Sequence, residues 1–417
     1  IMKGMPSRPP LTRPRSILLS DCDVFYVQLA RMADPEGAGR EPLLIVGGSA
    51  ESRGVVCSAT YEVRKYGVRS GMPISRAVKL CPQAMCVPVP RALTSQKSEE
   101  IYHVLQRFAP DVESASPDEA YMDLTTTMDT VYRGRTLEEI AHMARAAVER
   151  ETGIRVSMGG GTSKLIAKLA VEPAKPRDGR GGNGVYVVAP GDEAAFVARL
   201  ELRDIPGIGP RFQEQLVKHG WYAVTDLLDV PREELERKLG ENATAWLWDV
   251  IHGVDDSPVH QREEPKSMGR EETFARDIMD DRELEVEMLQ LVDRVTSDLR
   301  ESGYAARTIT VKIKDSDFKR RSAAVTLEEP ITTYQAMAPI AKDLLRGLRK
   351  KRRVAARLIG VTASHLQRLG AEEQLVLFAR EGAHVETDRQ RGLAAAMDSV
   401  REKFGPKALK IGMVERS

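Results

Sequence analysis

The chain is 417 residues long and carries 62 Lys and Arg against 61 Asp and Glu, a formal net charge of +1. That length exceeds one ordinary domain and predicts three or four units, each large enough for its own core. The near balance of charge excludes a simple polycation, and no apolar run approaches the roughly 18 residues that a membrane-spanning helix needs. The four cysteines, Cys22, Cys57, Cys81 and Cys86, form no Cys-x-x-Cys pair, so a zinc site is not expected. The chain reads as a soluble, cytoplasmic protein with reduced thiols and a Pro/Arg-rich flexible tail over residues 1–15.

In chain order, SILLSDCDVFY (16–26) predicts a core strand ending in Asp21 and Asp23, which a period of two places on one face. PLLIVGG (42–48) is a second apolar run, and residues 61–82 mix short helical patterns with glycine stops, as a small separate lobe would. SQKSEEIYHVLQRFAP (95–110) has helical periodicity. In SASPDEAYMD (114–123), Ser116-Pro117 suits the first half of a tight turn, so Asp118 and Glu119 can sit at a hairpin tip and converge. LEEIAHMARAAVERETG (137–153) predicts an amphipathic helix stopped by Gly153. IRVSMGG (154–160) predicts a strand, and TSKLIAKLAVEP (162–173) a helix capped by Thr162 and ended by Pro173. RDGRGGNG (177–184) reads as a loop and VYVV (185–188) as a last core strand. Residues 190–255 are helical, 256–265 resemble a linker, and 266–365 return to strands with two amphipathic helices. The whole predicts a multidomain α/β and α+β protein.

Three groups of residues suggest chemistry. Asp21 at a strand end, joined by Asp118 and Glu119, would concentrate negative charge that Mg²⁺ neutralises well, and two such ions suit phosphoryl transfer. The competing reading is three unrelated surface acids in a chain that is 29% charged. Tyr61, Arg64, Lys65 and Lys175 offer partners for a triphosphate, or are solvated charges. In DIPGIGPRFQEQLVKHG (204–220), Pro210 can start a helix and Gly220 stop it, as in a helix-hairpin-helix that grips a DNA backbone without reading sequence. EEQLVLFARE (372–381) carries an apolar cluster suited to a partner's groove, or to packing on the chain itself. GGGTSK (159–164) is not a Walker A loop, because its glycine spacing is wrong.

Together these stretches resemble the Y-family DNA polymerases of the DinB branch: LLSDCDVFY the first acid-bearing strand, GVVCSATYEVRKYGVRSGMP the fingers signature, SASPDEAYMD the paired-acid hairpin, then IPGIGP, KSMGREETFARD and the clamp-binding peptide QLVLF. The resemblance implies a right-hand polymerase with a palm (16–23 and 90–189), fingers (24–89), a helical thumb (190–252), a linker (253–265), a little finger (266–365) and a C-terminal tail (366–417). It implies that Asp21, Asp118, Glu119 and the backbone carbonyl of Cys22 hold two Mg²⁺ ions, for which Mn²⁺ can substitute. Tyr26 falls at the steric gate against ribonucleotides. Ser58, Tyr61, Arg64 and Lys175 would grip the nucleotide, while Val55, Cys57 and Gly71 would roof the nascent base pair. Gly207, Gly209, Lys312, Lys314, Lys319, Arg320 and Arg321 would meet DNA backbone, and Gln374, Leu375, Leu377 and Phe378 the sliding clamp. The implied partners are primer–template DNA, a deoxynucleotide and the clamp, with the chain a monomer and no membrane involved. Asp23 is not a ligand in this family. The usual His-Val-Asp is Leu19-Ser20-Asp21 here, Ala30 replaces a common glutamate, and Thr162-Ser163-Lys164 and the long loop at 177–184 also depart from the pattern. A catalytically silent scaffold, a UmuC-like enzyme and a plain DNA-binding module are the alternatives.

Overall fold

The apolar run after Ser16 forms strand β1 (Ile17–Cys22), whose Ile17, Leu18 and Leu19 are fully buried. A strand with both faces covered has to lie inside a sheet packed on two sides. The elements that follow are α1 (Phe25–Ala33), β2 (Leu44–Gly47), β3 (Val56–Ala59), α2 (Tyr61–Lys65), α3 (Ile74–Leu80), β4 (Met85–Val87), α4 (Arg91–Gln106), β5 (Asp111–Ser114), β6 (Glu119–Asp123), α5 (Leu137–Thr152), β7 (Val156–Gly161), α6 (Lys164–Ala174) and β8 (Val185–Val187). The main sheet has the order β5-β6-β1-β7-β8, with β1 antiparallel to both neighbours and β7 parallel to β8 across α6. Leu18 packs with Ile101, Leu105, Ile140 and Val148 of α4 and α5, while Ile17 and Leu19 meet Ala167 and Val171 of α6. The computed structural model describes residues 14–49, 53–176, 182–260, 264–370, 386–405 and 408–409, in two units, Ile1–Glu263 and Glu264–Ser417.

The Gly159–Gly161 run is a packing device. A Cβ on Gly159 would run into the α6 backbone at Ala167, Ala170 and Val171, so glycine lets the helix lie close on the strand. We expect Gly159→Ala to cost about 1–3 kcal/mol, because backbone rather than a flexible side chain must give way. A denaturant midpoint equal to that of the unaltered chain would refute this. The cap of α6 differs from the expectation: Ser163, not Thr162, accepts from the Ile166 amide at 3.2 Å, because Thr162 turns its hydroxyl to Glu193 at 2.6 Å. Pro173 lies within the last turn of α6 rather than just past it. α4 also starts four residues earlier than its periodicity indicated.

A second, three-stranded sheet, β3-β2-β4, packs with α2 and α3 around Ile45, Val56, Val63, Ile74 and Cys81, the separate small lobe. After β8 come α7 (Glu193–Val197), α8 (Pro210–Lys218), α9 (Val224–Leu228), α10 (Arg232–Leu239) and α11 (Glu241–Ile251), which enclose Leu202, Leu216, Trp221, Leu235 and Leu247. Pro210 is the first residue of α8, and the turn before it needs Gly207 at φ +99°, a left-handed conformation that side chains resist. The amides of Ile208 and Gly209 already meet the carbonyls of Ile205 and Gly207.

The second unit runs β9 (Ser267–Ile278), α12 (Asp281–Glu301), β10 (Tyr304–Asp315), β11 (Arg320–Ile331), α13 (Tyr334–Lys351), β12 (Ala356–Arg368) and α14 (Asp388–Phe404). Its antiparallel sheet has the order β11-β10-β12-β9. Ile309, Val311 and Ile313 point into the core with α12 and α13, so the alternate residues Lys312 and Lys314 lie on the opposite, open face. The stretch read as a tail holds helix α14. Asp398 takes Arg300 and Asp293 takes Arg401 in two-pronged pairs at 2.7–3.1 Å, and Glu386 accepts from the amides of Thr332 and Thr333. Arg15, read as part of the N-terminal tail, donates to the carbonyls of Asp255 and Ser257. Among the described residues no helix is long and apolar enough to cross a membrane.

Candidate active site

The register of β1 with β6 sets Asp21 directly opposite Glu119. Paired residues of an antiparallel ladder project to the same side, so these two carboxylates share one face. Asp118 is the last residue of the hairpin turn and its carbonyl accepts from the Cys22 amide at 2.9 Å, which ties the turn to the end of β1. The Asp118 carboxylate takes the Ser116 hydroxyl at 2.6 Å. Asp21 and Glu119 line a cleft of about 1010 Å³ together with Arg69, Lys168, Glu172, Lys175 and Arg203. Asp118 and Glu119 border a separate small hollow beside Ser20 and Tyr102. Glu119 is thus common to both.

Lysines balance the acids. Lys168 donates to both oxygens of Glu119 at 2.8 Å, and Lys175 lies 3.1 Å from both Asp21 and Glu172. Burial pushes the Asp21 carboxyl up to about 7, against the opposing pull of Lys175, with the charges of Glu119 and Asp118 adding to the rise. Burial works to lower the Lys175 ammonium, yet Asp21 and Glu172 outweigh it and hold it up. Burial and the charges of Asp118, Asp21, Asp23 and Glu119 push the Cys22 thiol well up, so Cys22 is an unreactive thiol amid four acids. Among the described residues no three Asp, Glu, His or Cys side chains stand as a group that could hold a metal ion, and the three acids are held instead by Lys168, Lys175 and Ser116. The donor set itself suits a hard divalent cation, because a cation would relieve Asp21, which burial and the charges of Glu119 and Asp118 disfavour as a carboxylate.

Between the acids and α1 the chain passes through Val24 at φ +44°, an outlier for a β-branched residue. Gln28, buried, holds this turn. Its amide donates to the carbonyls of Asp23 and Arg155 at 2.6 and 2.9 Å and accepts from the Arg155 amide at 2.8 Å. Asp23 lies past the strand end, buried, and accepts from Ser157 at 2.8 Å, a structural role that accounts for its standing apart from the other acids. The turn aims Tyr26 so that Asp118 and Cys57 both act on its phenol, which burial foremost pushes up. Sequence reasoning missed Gln28, Lys168 and Arg69. For Lys168 a signal existed, since it lies one helical turn after Lys164.

In the small lobe, Val55 and Cys57 are exposed while Val56 and Ser58 are buried, the alternation of a strand with one open face. Gly71, at φ +81°, donates to the Val56 carbonyl. Ser58 thus faces away from the side that Val55 and Cys57 share. Arg64 donates to the Ala59 carbonyl at 3.1 Å and lies 5.1 Å from the centre of the Tyr61 ring. In the second unit Lys312 pairs with Glu271, and Lys319 and Arg320 are exposed at the β10–β11 turn. Arg321 does not join them. It turns inward, to buried Asp315 and the carbonyls of Leu348 and Arg352. Gln374, Leu375, Leu377 and Phe378 lie outside the described residues, as does most of the loop at 177–184.

The impB/mucB/samB family model matches residues 20–172, the model of that family's C-terminal domain matches 265–377, and its helix-hairpin-helix motif matches 190–220. DNA polymerase IV of Desulfatibacillum aliphaticivorans is 36% identical over 389 residues, 93% of this chain and 94% of that one. DNA polymerase IV of Dehalococcoides mccartyi (strain CBDB1) is 33% identical over 402 residues, 96% and 98% of the two chains. Among solved structures, a Y-family DNA polymerase chimera of Dbh and Dpo4 is similar with a TM-score of 0.74 at 26% identity, covering 84% of this chain and 98% of its own. DinB from Sulfolobus solfataricus gives 0.57 at 27% identity, with the same coverage. The chain belongs to the impB/mucB/samB family, the DinB-type Y-family DNA polymerases. Its right-hand architecture of palm, fingers, thumb and little finger is that of its solved relatives.

Proposed function

We propose that this DNA-directed DNA polymerase carries out low-fidelity, distributive translesion synthesis, adding deoxynucleotides to a primer 3′-hydroxyl as a template directs. The observation that carries the reading is Asp21 facing Glu119 across the β1–β6 pair, with Asp118 adjacent, beside a cleft that also holds Lys175. Similarity to DNA polymerase IV supports it, and so does similarity to an insertion ternary complex of Dbh DNA polymerase, at a TM-score of 0.59 and 26% identity, which favours primer–template DNA and an incoming deoxynucleotide as partners. Asp21, Asp118, Glu119 and the Cys22 carbonyl would hold two Mg²⁺ ions, whose charge would acidify the 3′-hydroxyl and steady the triphosphate. Lys168 and Lys175 offset the charge of Glu119 and Asp21. Lys175, Arg64 and Tyr61 draw in and orient the triphosphate, and Arg69 adds a further cation to the cleft.

Tyr26 stands under the sugar and rejects a 2′-hydroxyl by contact. We expect Tyr26→Ala to raise ribonucleotide use relative to deoxynucleotide by roughly 10²-fold, the scale of relieving one steric overlap. Comparing kcat/KM for the two nucleotides checks it, and an unchanged ratio refutes the gate. Small, open-faced Val55 and Cys57 with Gly71 leave room over the base pair for a damaged template. The exposed Lys319 and Arg320, with the half-buried Lys312 and Lys314 of the open face, follow DNA backbone, so binding weakens steeply with salt. Arg321 is replaced in that role by its neighbours, because Asp315 claims it. Gln374, Leu375, Leu377 and Phe378 dock on the sliding clamp, which offsets this weak hold; the chain acts as a monomer. A silent scaffold is not favoured, since all three acids are present. Primer extension with Mg²⁺ tests the whole reading: short products that cease on chelation support it, and extension that is indifferent to chelation contradicts it.

A further inference from the structure

The β10–β11 turn contains an anomaly. Phe318 adopts φ +68°, a left-handed conformation in which glycine or asparagine is at ease and a bulky aromatic is an outlier. Its ring contributes little to a core, since the residue is 58% exposed. Two cations gather on it instead: Lys314 Nζ lies 4.7 Å and Arg357 Cζ 4.9 Å from the ring centre. The turn that presents it is stiffly built. Buried Asp315 holds Arg321 and Arg352, Asp317 holds Arg352 at 2.7 Å, and the Phe318 amide donates to the Asp315 carbonyl at 2.9 Å. A strained, exposed residue fixed by so many bonds points to use rather than to packing.

Lys314 lies on the open face of the sheet, opposite Arg320 in the register, so Phe318 marks the end of that basic face. An aromatic ring ringed by cations is the chemistry that holds single-stranded nucleic acid: the ring stacks a base, and the cations meet the flanking phosphates. We infer that Phe318, with Lys314 and Arg357, forms a stacking platform for an unpaired base of single-stranded DNA. The inference rests on the reading that this face follows DNA.

Anisotropy of a labelled oligothymidylate and of a blunt duplex, with the full chain and three variants, tests it. Phe318→Leu should weaken single-strand binding by roughly 5- to 100-fold, with duplex binding unchanged, because a closed duplex offers no free base face. Phe318→Tyr should bind like the unaltered chain. Phe318→Gly should lose the same affinity as the leucine variant while its thermal midpoint holds or rises, since glycine relaxes the left-handed backbone; a misfolded turn could not give that combination. Equal affinity of the unaltered, leucine and glycine chains would overturn the platform alone, as would an equal loss on duplex. Failure of the unaltered chain to bind either DNA would overturn the reading of the face as well.

Discussion

Asp118→Asn is expected to reduce nucleotide incorporation by about two to three orders of magnitude, on the scale of removing one fixed group that stabilises the transition state. The substitution keeps the side chain's shape, and its amide oxygen can still accept the Ser116 hydroxyl that the carboxylate accepts at 2.6 Å. The hairpin is also tied to Cys22 through the Asp118 main chain, which the change leaves alone. Only the charge is lost. After burial, the charges of Glu119 and Asp118 add to the raised proton affinity of Asp21, so removing the Asp118 charge relieves repulsion rather than adding strain. Folding stability should therefore hold or increase slightly while activity disappears, the trade expected where function keeps like charges together. Thermal melting alongside single-turnover incorporation checks both halves. An active variant would remove Asp118 from the site, and an unfolded one would mean that the hairpin depends on the carboxylate for shape.

Asp315→Asn should destabilise the second unit by about 3 kcal/mol, the low end for breaking a buried ion pair. Asp315 has no solvent-exposed side-chain surface, while its partners Arg321 and Arg352 keep 17% and 29% of theirs, which is why the low end applies. Burial alone would push the Asp315 carboxyl up, but hydrogen bonds and charge from Arg321 and Arg352 outweigh it and hold it below the ordinary aspartate range. A depressed carboxyl contributes stability that is fully present above its unfolded value, about 3.9, and is lost as pH falls through the lower folded value. The gap between the unaltered chain and the variant should accordingly be widest near neutrality and shrink in acid. Urea midpoints at neutral and acidic pH measure it, and a gap that is independent of pH would show that the pair does not titrate with folding.

Much of this architecture was legible in the chain because local rules govern it. The Ile17–Leu19 run had to be an interior strand, Gly153 ends α5 at φ +72°, and Pro210 starts α8 just where a first-turn proline is tolerated. The acids were legible too, since a proline-led turn between two strand-like runs can deliver Glu119 opposite Asp21. What escaped notice depends on partners distant in sequence. Gln28 matters through Arg155, Lys168 through Glu119, and Arg321, besides nearby Asp315, through the carbonyls of Leu348 and Arg352 that hold it inward. Charge alone made Arg321 look like its neighbours Lys319 and Arg320. Helix α14 escaped for a similar reason: its fixing residues, Asp398 and Arg401, find Arg300 and Asp293 about a hundred positions earlier.

The central claim is that the pair at 118 and 119 serves template-directed nucleotide addition. The most direct test extends a labelled primer on templates that differ in one base, with Mg²⁺ and each deoxynucleotide singly, using the unaltered chain and Asp118→Ala. The account predicts that the unaltered chain preferentially adds the nucleotide complementary to the template base and that the variant adds none. Addition that ignores the template, or addition that survives in the variant, would contradict it.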